Sequence, residues 1–257
     1  MTAVALAGID EIAYSRARLV ASEFRMADAV AQKLAQQFGA WERFETPIPE
    51  WMLDWFDAQQ DLLDAKKDDC LKRIAAEWAG SAVAEHVERT PGLGRAMLLV
   101  LSLAPHMGRF DNPAKFWKYI GLHAHRATPN GPPTGENPKA DKNQNYSHQL
   151  KAWCLFRVAE PVMKMGDRSP YRVVYDRQRA KHPEMLPAGQ CAFCDAAYAK
   201  RKATGKAGFD CHNMGGPHWK KAHAHIDALG VLAKAITLDA WRISHGLEPH
   251  YGATADV

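Results

Sequence analysis

Cys191-Ala192-Phe193-Cys194 is followed, after sixteen residues, by Cys211-His212, and His218 comes seven residues after Cys211. A Cys-x-x-Cys turn can place two thiolates on one tetrahedral zinc ion, and a second knuckle supplies the remaining ligands. Cys211 is the natural third ligand. His218 is the expected fourth, with His212 the alternative, since neighbouring ligands at 211 and 212 would have to splay in opposite directions. Four protein ligands close the site, so the zinc would be structural. A redox Cys-x-x-Cys requires a strand-to-helix context, which this segment lacks. Lys200, Arg201, Lys202 and Lys206 between the two knuckles give the loop the charge of a nucleic-acid-binding zinc ribbon.

A second constellation is Thr90-Pro91-Gly92-Leu93-Gly94-Arg95, which runs into the apolar series Ala96-Met97-Leu98-Leu99-Val100-Leu101. The pattern reads as a helix end, a short turn and a new helix. Gly92 and Gly94 would let backbone approach a phosphate, and the first N–H groups of the next helix would point at the anion. Arg95 would add charge there. Such contacts bind without reading sequence; the plain alternative is a tight turn between two core helices.

Further candidate contacts follow. The Pro-, Gly- and Asn-rich segment 123–146 holds Arg126, Lys139 and Lys142, and the helix after it holds Lys151 and Arg157 around Trp153. Ser169-Pro170 opens a helix with Arg172, Arg177, Arg179 and Lys181, interleaved with Tyr171 and Tyr175. Aromatic residues among cations suit stacking on unpaired bases, but on an amphipathic helix they also serve as packing. His225, at the start of the last apolar helix, is read as a cap or hydrogen-bonded core group, with general acid–base work as the alternative.

These residues need a scaffold, and the chain supplies helices. Apolar positions Ile12, Leu19, Phe24, Ala27, Val30 and Leu34 predict an amphipathic helix over 10–37. After Thr46-Pro47-Ile48-Pro49, a second helix is predicted from Glu50 to about Glu88, with Gly80-Ser81 as a possible kink. Its stripe of Trp51, Trp55, Leu62 and Leu71 is suited to a partner helix, so homo-oligomerisation through the N-terminal helices is expected. The acids along its other faces read as a solvated surface. Asn112-Pro113 predicts a further capped helix start.

The net charge of +4 is unevenly spread. Residues 1–90 hold 10 Lys/Arg against 16 Asp/Glu, a net −6, whereas residues 91–257 hold 23 against 13, a net +10. That partition directs the second block toward polyanions. No apolar run approaches the roughly 20 residues of a membrane span. The N-terminus lacks a basic region ahead of Asp10 and Glu11, and Cys70 and Cys154 stand alone in helical patterns. A cytoplasmic protein without a membrane partner is expected.

The order Pro-Gly-Leu-Gly, apolar helix, Phe110-Asp111-Asn112, Phe116, then Tyr119-Ile120-Gly121-Leu122 resembles the C-terminal domain of the insertion-sequence 110/116/902 transposases. The resemblance covers roughly residues 50–165. It implies a long helix leading into a helix-hairpin-helix that holds DNA. The family's N-terminal RNase-H-like nuclease domain has no counterpart here, because residues 10–50 read as helix. The family's serine nucleophile follows Gly-Leu, whereas this chain has no serine there before Ser147, which reads as an N-cap.

The expected fold is therefore mainly α: long antiparallel helices lead into a helix-hairpin-helix domain, with a small zinc-binding loop inserted. The expected parts are a helical arm at 1–88, a transposase-like domain at 89–182, a zinc loop at 183–218 and a closing helix and tail at 219–257. The expected function is nucleic-acid binding, of DNA, with no complete catalytic constellation visible. The alternatives are a recombinase with a cryptic active site and a protein-interaction module of a phage or mobile element.

Overall fold

A computed structural model describes residues 9–43, 47–122, 148–181 and 221–251. Its described residues are helical with connecting turns, and no strand occurs among them. The chain divides into two compact units, 1–111 with 240–249 and 112–239 with 250–257. The division expected at residues 88–89 is not where these units part.

The first unit is built on a helical hairpin. Helix α1 (Glu11–Arg43) starts where the Asp10 carboxylate accepts from the N–H groups of Ile12 and Ala13, at 2.8 and 2.9 Å. At 33 residues it is about 50 Å long. Helix α2 (Glu50–Trp78) runs antiparallel to it. Arg16 pairs with Glu77 and Glu23 with Arg73, Gln60 reaches the Ala31 carbonyl, and Phe38 stacks on Phe56.

The face that α1 buries agrees only in part with the expected one, sharing Phe24 and Ala27 with it. Ala13, Ala17, Val20, Ala21, Phe24, Ala27 and Ala31 are buried, whereas Ile12, Leu19 and Val30 are exposed. Small side chains allow close helix approach, so the alanine-rich face is the packed one. On α2 the buried set is Cys70, Ile74 and Trp78, while Trp51, Trp55 and Leu62 are exposed.

The helix predicted through Glu88 is in fact two helices. Gly80 takes φ +77°, a left-handed conformation that ends α2, and Ser81 caps α3 (Ala82–Arg89) by accepting from the Ala84 N–H at 3.2 Å. Helix α4 (Arg95–Leu103) buries Met97 through Ser102. The Trp78 indole donates to Ser102 Oγ at 2.9 Å, and the Tyr14 hydroxyl donates to the Ala104 carbonyl. Both long helices are thus tied to α4 in one core, which is why the unit extends past the expected boundary.

In the second unit, α5 (Pro113–Ile120) begins as expected: Asn112 Oδ1 accepts from the Ala114 N–H at 2.7 Å, with Pro113 in the first turn. After α6 (His148–Trp153), residues Cys154–Ala159 form a π-helical turn before α7 (Glu160–Lys164). The Glu160 N–H reaches the Leu155 carbonyl, five residues back. The physical cause is Pro161, which has no N–H and whose ring would crowd the carbonyl four residues earlier in a regular α-helix. Helix α8 (Arg172–Arg179) and the first nineteen residues of α9 (Lys221–Ser244) complete this unit. Phe116, Ile120, Val158, Val162, Leu229, Leu232 and Ile236 fill its core. No helix among the described residues is long and apolar enough to cross a membrane.

Candidate nucleic-acid interface

The turn between α3 and α4 is tied by its own hydrogen bonds. Thr90 Oγ1 donates to the His86 carbonyl at 2.7 Å, and the Leu93 N–H donates to the Thr90 carbonyl at 3.0 Å. Gly92 takes φ +83°, which any other L-residue adopts only with strain. Gly94 is different: its φ of −120° is ordinary extended backbone, and a Cβ added there would meet nothing within 4 Å. Leu93 is buried, while Gly94 and Arg95 are exposed at the start of α4. The first turn of α4 holds no acidic residue. Across the same unit, Asp68 is held below the usual carboxylate range, first by its hydrogen bond from Lys72 and additionally by the field of Arg95.

In the second unit, the three arginine candidates of α8 separate into distinct roles. Arg172 is committed internally. Its Nε donates to Asp176 at 2.8 Å, one terminal nitrogen donates to the Met163 carbonyl at 2.9 Å, and its guanidinium lies over the Tyr175 ring. It ties α8 to α7. Arg177 is exposed and Arg179 half-buried. Arg172 and Arg177 line an open groove of about 580 Å³ together with Asp167, Asp176 and Ser169. The Ser169 hydroxyl oxygen is buried and has no hydrogen-bond partner.

Neither tyrosine of this segment is placed to stack on bases. Tyr171 is fully buried and donates to Asp239, and Tyr175 is buried with its hydroxyl 2.7 Å from His225 Nδ1. His225 is thus a hydrogen-bonded, half-buried group rather than an open one.

Lys151 sits half-buried on α6. Burial lowers its pKa, and the nearby Lys234 ammonium lowers it further. Lys234 is itself lowered by burial, with Asp227 partly offsetting, and its ammonium lies 5.9 Å from the Trp117 ring centroid. Lys234 was not among the sequence candidates. Its signal was a single cation set between Leu232, Ala233, Ala235 and Ile236 in an otherwise apolar helix.

The cysteines inside the described residues are inert. Cys154 is fully buried, and burial pushes its thiol up to about 12; burial raises Cys70 as well. The expected zinc ligands Cys191, Cys194, Cys211 and His218, and the expected contacts Arg126, Lys139 and Lys142, lie outside the described residues. Among the described residues no cluster of His, Cys, Asp and Glu could hold a metal ion. No protein-family model matches the chain, and no curated protein or solved structure does either.

Proposed function

We propose that this chain is a nucleic-acid-binding protein related to the C-terminal domain of the insertion-sequence 110/116/902 transposases, and that it binds DNA without cutting it by itself. The observation that carries this reading is the α3–α4 turn. It presents exposed Gly94 and Arg95 at the acid-free start of a helix whose body, Met97–Ser102, is anchored in the core. Such a helix start favours phosphate through its first N–H groups and its dipole. The net +10 of residues 91–257 supports the same reading. Within this proposal the turn acts as a helix-hairpin-helix, with Lys151, Arg177 and Arg179 as further contacts and Arg172 as a positioning residue.

Arg95→Glu tests the assignment. It should weaken binding to two unrelated duplexes by the same factor, because a phosphate contact carries no sequence information. A loss confined to one duplex, or no loss, contradicts the assignment.

Cys191, Cys194, Cys211 and His218 are proposed to hold one structural zinc, which would order the basic loop between them. Protein purified without a metal-affinity tag should contain about one zinc per chain. Metal-free protein whose thermal stability is unchanged by Cys191→Ser would remove zinc from the account.

A further inference from the structure

The open groove along α8 carries paired and unpaired charges. Of the residues that line it, Arg172 and Asp176 neutralise each other at 2.8 Å. Asp167 and Arg177 are exposed, and neither side chain makes a hydrogen bond or ion pair among the described residues. Asp167 precedes the helix, whereas Arg177 stands five residues beyond Arg172, about 7.5 Å along the helix axis. Between them in the chain, Pro170 and the 55% exposed Val173 give the groove an apolar surface. Ser169 also lines it, only 3% exposed, and its buried hydroxyl oxygen has no hydrogen-bond partner. A buried hydroxyl normally finds a partner, so an unspent one beside a groove marks a place for a ligand atom.

Charge balance selects the class of ligand. Two guanidiniums share the groove with two carboxylates, so neither a plain anion nor a plain cation gains from the whole of it. A ligand that donates hydrogen bonds at one end and carries negative charge at the other does gain. The separation along α8 exceeds that of ammonium and carboxylate on one α-carbon, and about 580 Å³ suits a larger molecule than an amino acid. A nucleotide has this form: a flat base with a polar edge, and a phosphate away from that edge. An ionised carboxylate only accepts, whereas a serine hydroxyl can donate. Together they complement the Watson–Crick edge of guanine, where N1–H and N2–H2 donate and O6 accepts. Adenine, cytosine and thymine each set a lone pair against the carboxylate.

We infer that this groove binds one guanine nucleotide. Asp167 accepts from N1–H and N2–H2, Ser169 donates to O6, Pro170 and Val173 bed the base, and Arg177 takes the phosphate. The site extends the nucleic-acid reading above and rests on it for the choice of a nucleotide. An unpaired guanine in a strand and a free mononucleotide share this chemistry.

Titration calorimetry of the full chain with dGMP, beside dAMP, dCMP and dTMP, tests the assignment. dGMP should bind at least about tenfold tighter than the other three, the margin of one bidentate base contact. Asp167→Asn should abolish that preference. Ser169→Ala should weaken dGMP binding while thermal stability holds or rises, because it deletes an unpaired buried hydroxyl. Arg177→Gln should weaken dGMP and leave guanosine, which has no phosphate, unchanged. An oligothymidylate strand with one central guanine separates the sources. Binding tighter than dGMP assigns the site to an unpaired base, and weaker binding assigns it to the free nucleotide. Neither Asp167→Asn nor Ser169→Ala should change duplex affinity. A chain that binds duplex but neither guanine probe overturns this inference alone; one that binds the probes but no duplex supports it and removes the duplex reading. Equal affinity for dGMP and dAMP, or a preference that survives Asp167→Asn, overturns the guanine assignment.

Discussion

The Tyr171 hydroxyl donates to the Asp239 carboxylate at 2.8 Å, where neither side chain is open to solvent. The same carboxylate accepts from the backbone N–H groups of His250 and Tyr251, at 2.5 and 2.9 Å. One group on α9 therefore holds both the start of α8 and the returning chain. Burial, and then the neighbouring Asp239, keep the Tyr171 phenol protonated far above its ordinary range, so it remains a donor at any working pH. Tyr171→Phe leaves the carboxylate short of a partner and should cost about 1–3 kcal/mol. Asp239→Ala strands all three donors and should cost more, about 3–5 kcal/mol. Urea unfolding followed by circular dichroism measures both. A Tyr171→Phe midpoint equal to the wild type would show that this bond does not contribute.

Lys151 and Lys234 impose a pH dependence of known sign. Burial lowers both pKa values, so the folded protein gives up these protons before the unfolded chain does. Between the lowered values and the ordinary lysine value of about 10.4, the unfolded state binds more protons, and stability rises with pH. Lys234→Met should flatten that rise. Thermal midpoints from neutral pH into this alkaline window, for wild type and variant, decide it; identical slopes would mean that Lys234 is not desolvated.

Arg172 and Arg177 should behave differently although five residues apart on one helix. Arg172→Ala removes the ties to Asp176 and Met163 and should lower stability by about 1 kcal/mol. Arg177→Ala should leave stability within about 0.5 kcal/mol, as expected at an exposed position. If Arg177 touches phosphate, its loss reduces the salt dependence of duplex binding by about one counterion. Equal stability losses in the two variants would contradict the division of roles.

Helix starts with a strong local signal were legible in sequence: Asn112 caps α5 as expected. In sequence Ser81 reads only as part of a kink, whereas it caps a separate helix. What sequence did not reveal depends on packing. The alanine face of α1 has no strong apolar signal, yet it is the side that α2 can approach. The stripe of Ile12 and Leu19 has that signal and stays exposed. Likewise, the burial of Tyr171 and Tyr175 depends on α9, which lies some fifty residues away in the chain. Arg172 looked like any other cation until Asp176 and the Met163 carbonyl were placed around it. The candidate site was thus legible as a set of cations and not as a sorting of free from committed ones.

The two glycines of the α3–α4 turn should also separate. Gly92→Ala forces a side chain into φ +83° and should cost about 1 kcal/mol. Gly94→Ala meets open space, so the fold should tolerate it. Yet its methyl group would stand where a phosphate is proposed to approach, and binding should fall. Thermal denaturation together with duplex titration distinguishes the effects. Gly94→Ala that binds like the wild type would move the phosphate away from this turn.

The most direct test of DNA binding is the affinity of the full chain for a labelled duplex of arbitrary sequence, titrated across salt concentration. Phosphate contacts release counterions, so log affinity should fall linearly with log salt, by about 0.9 per contact. With Arg95, Lys151, Arg177 and Arg179 engaged, a slope of roughly −3 to −4 is expected, the same for a second unrelated duplex. No binding at low salt, or binding indifferent to salt, would contradict the account.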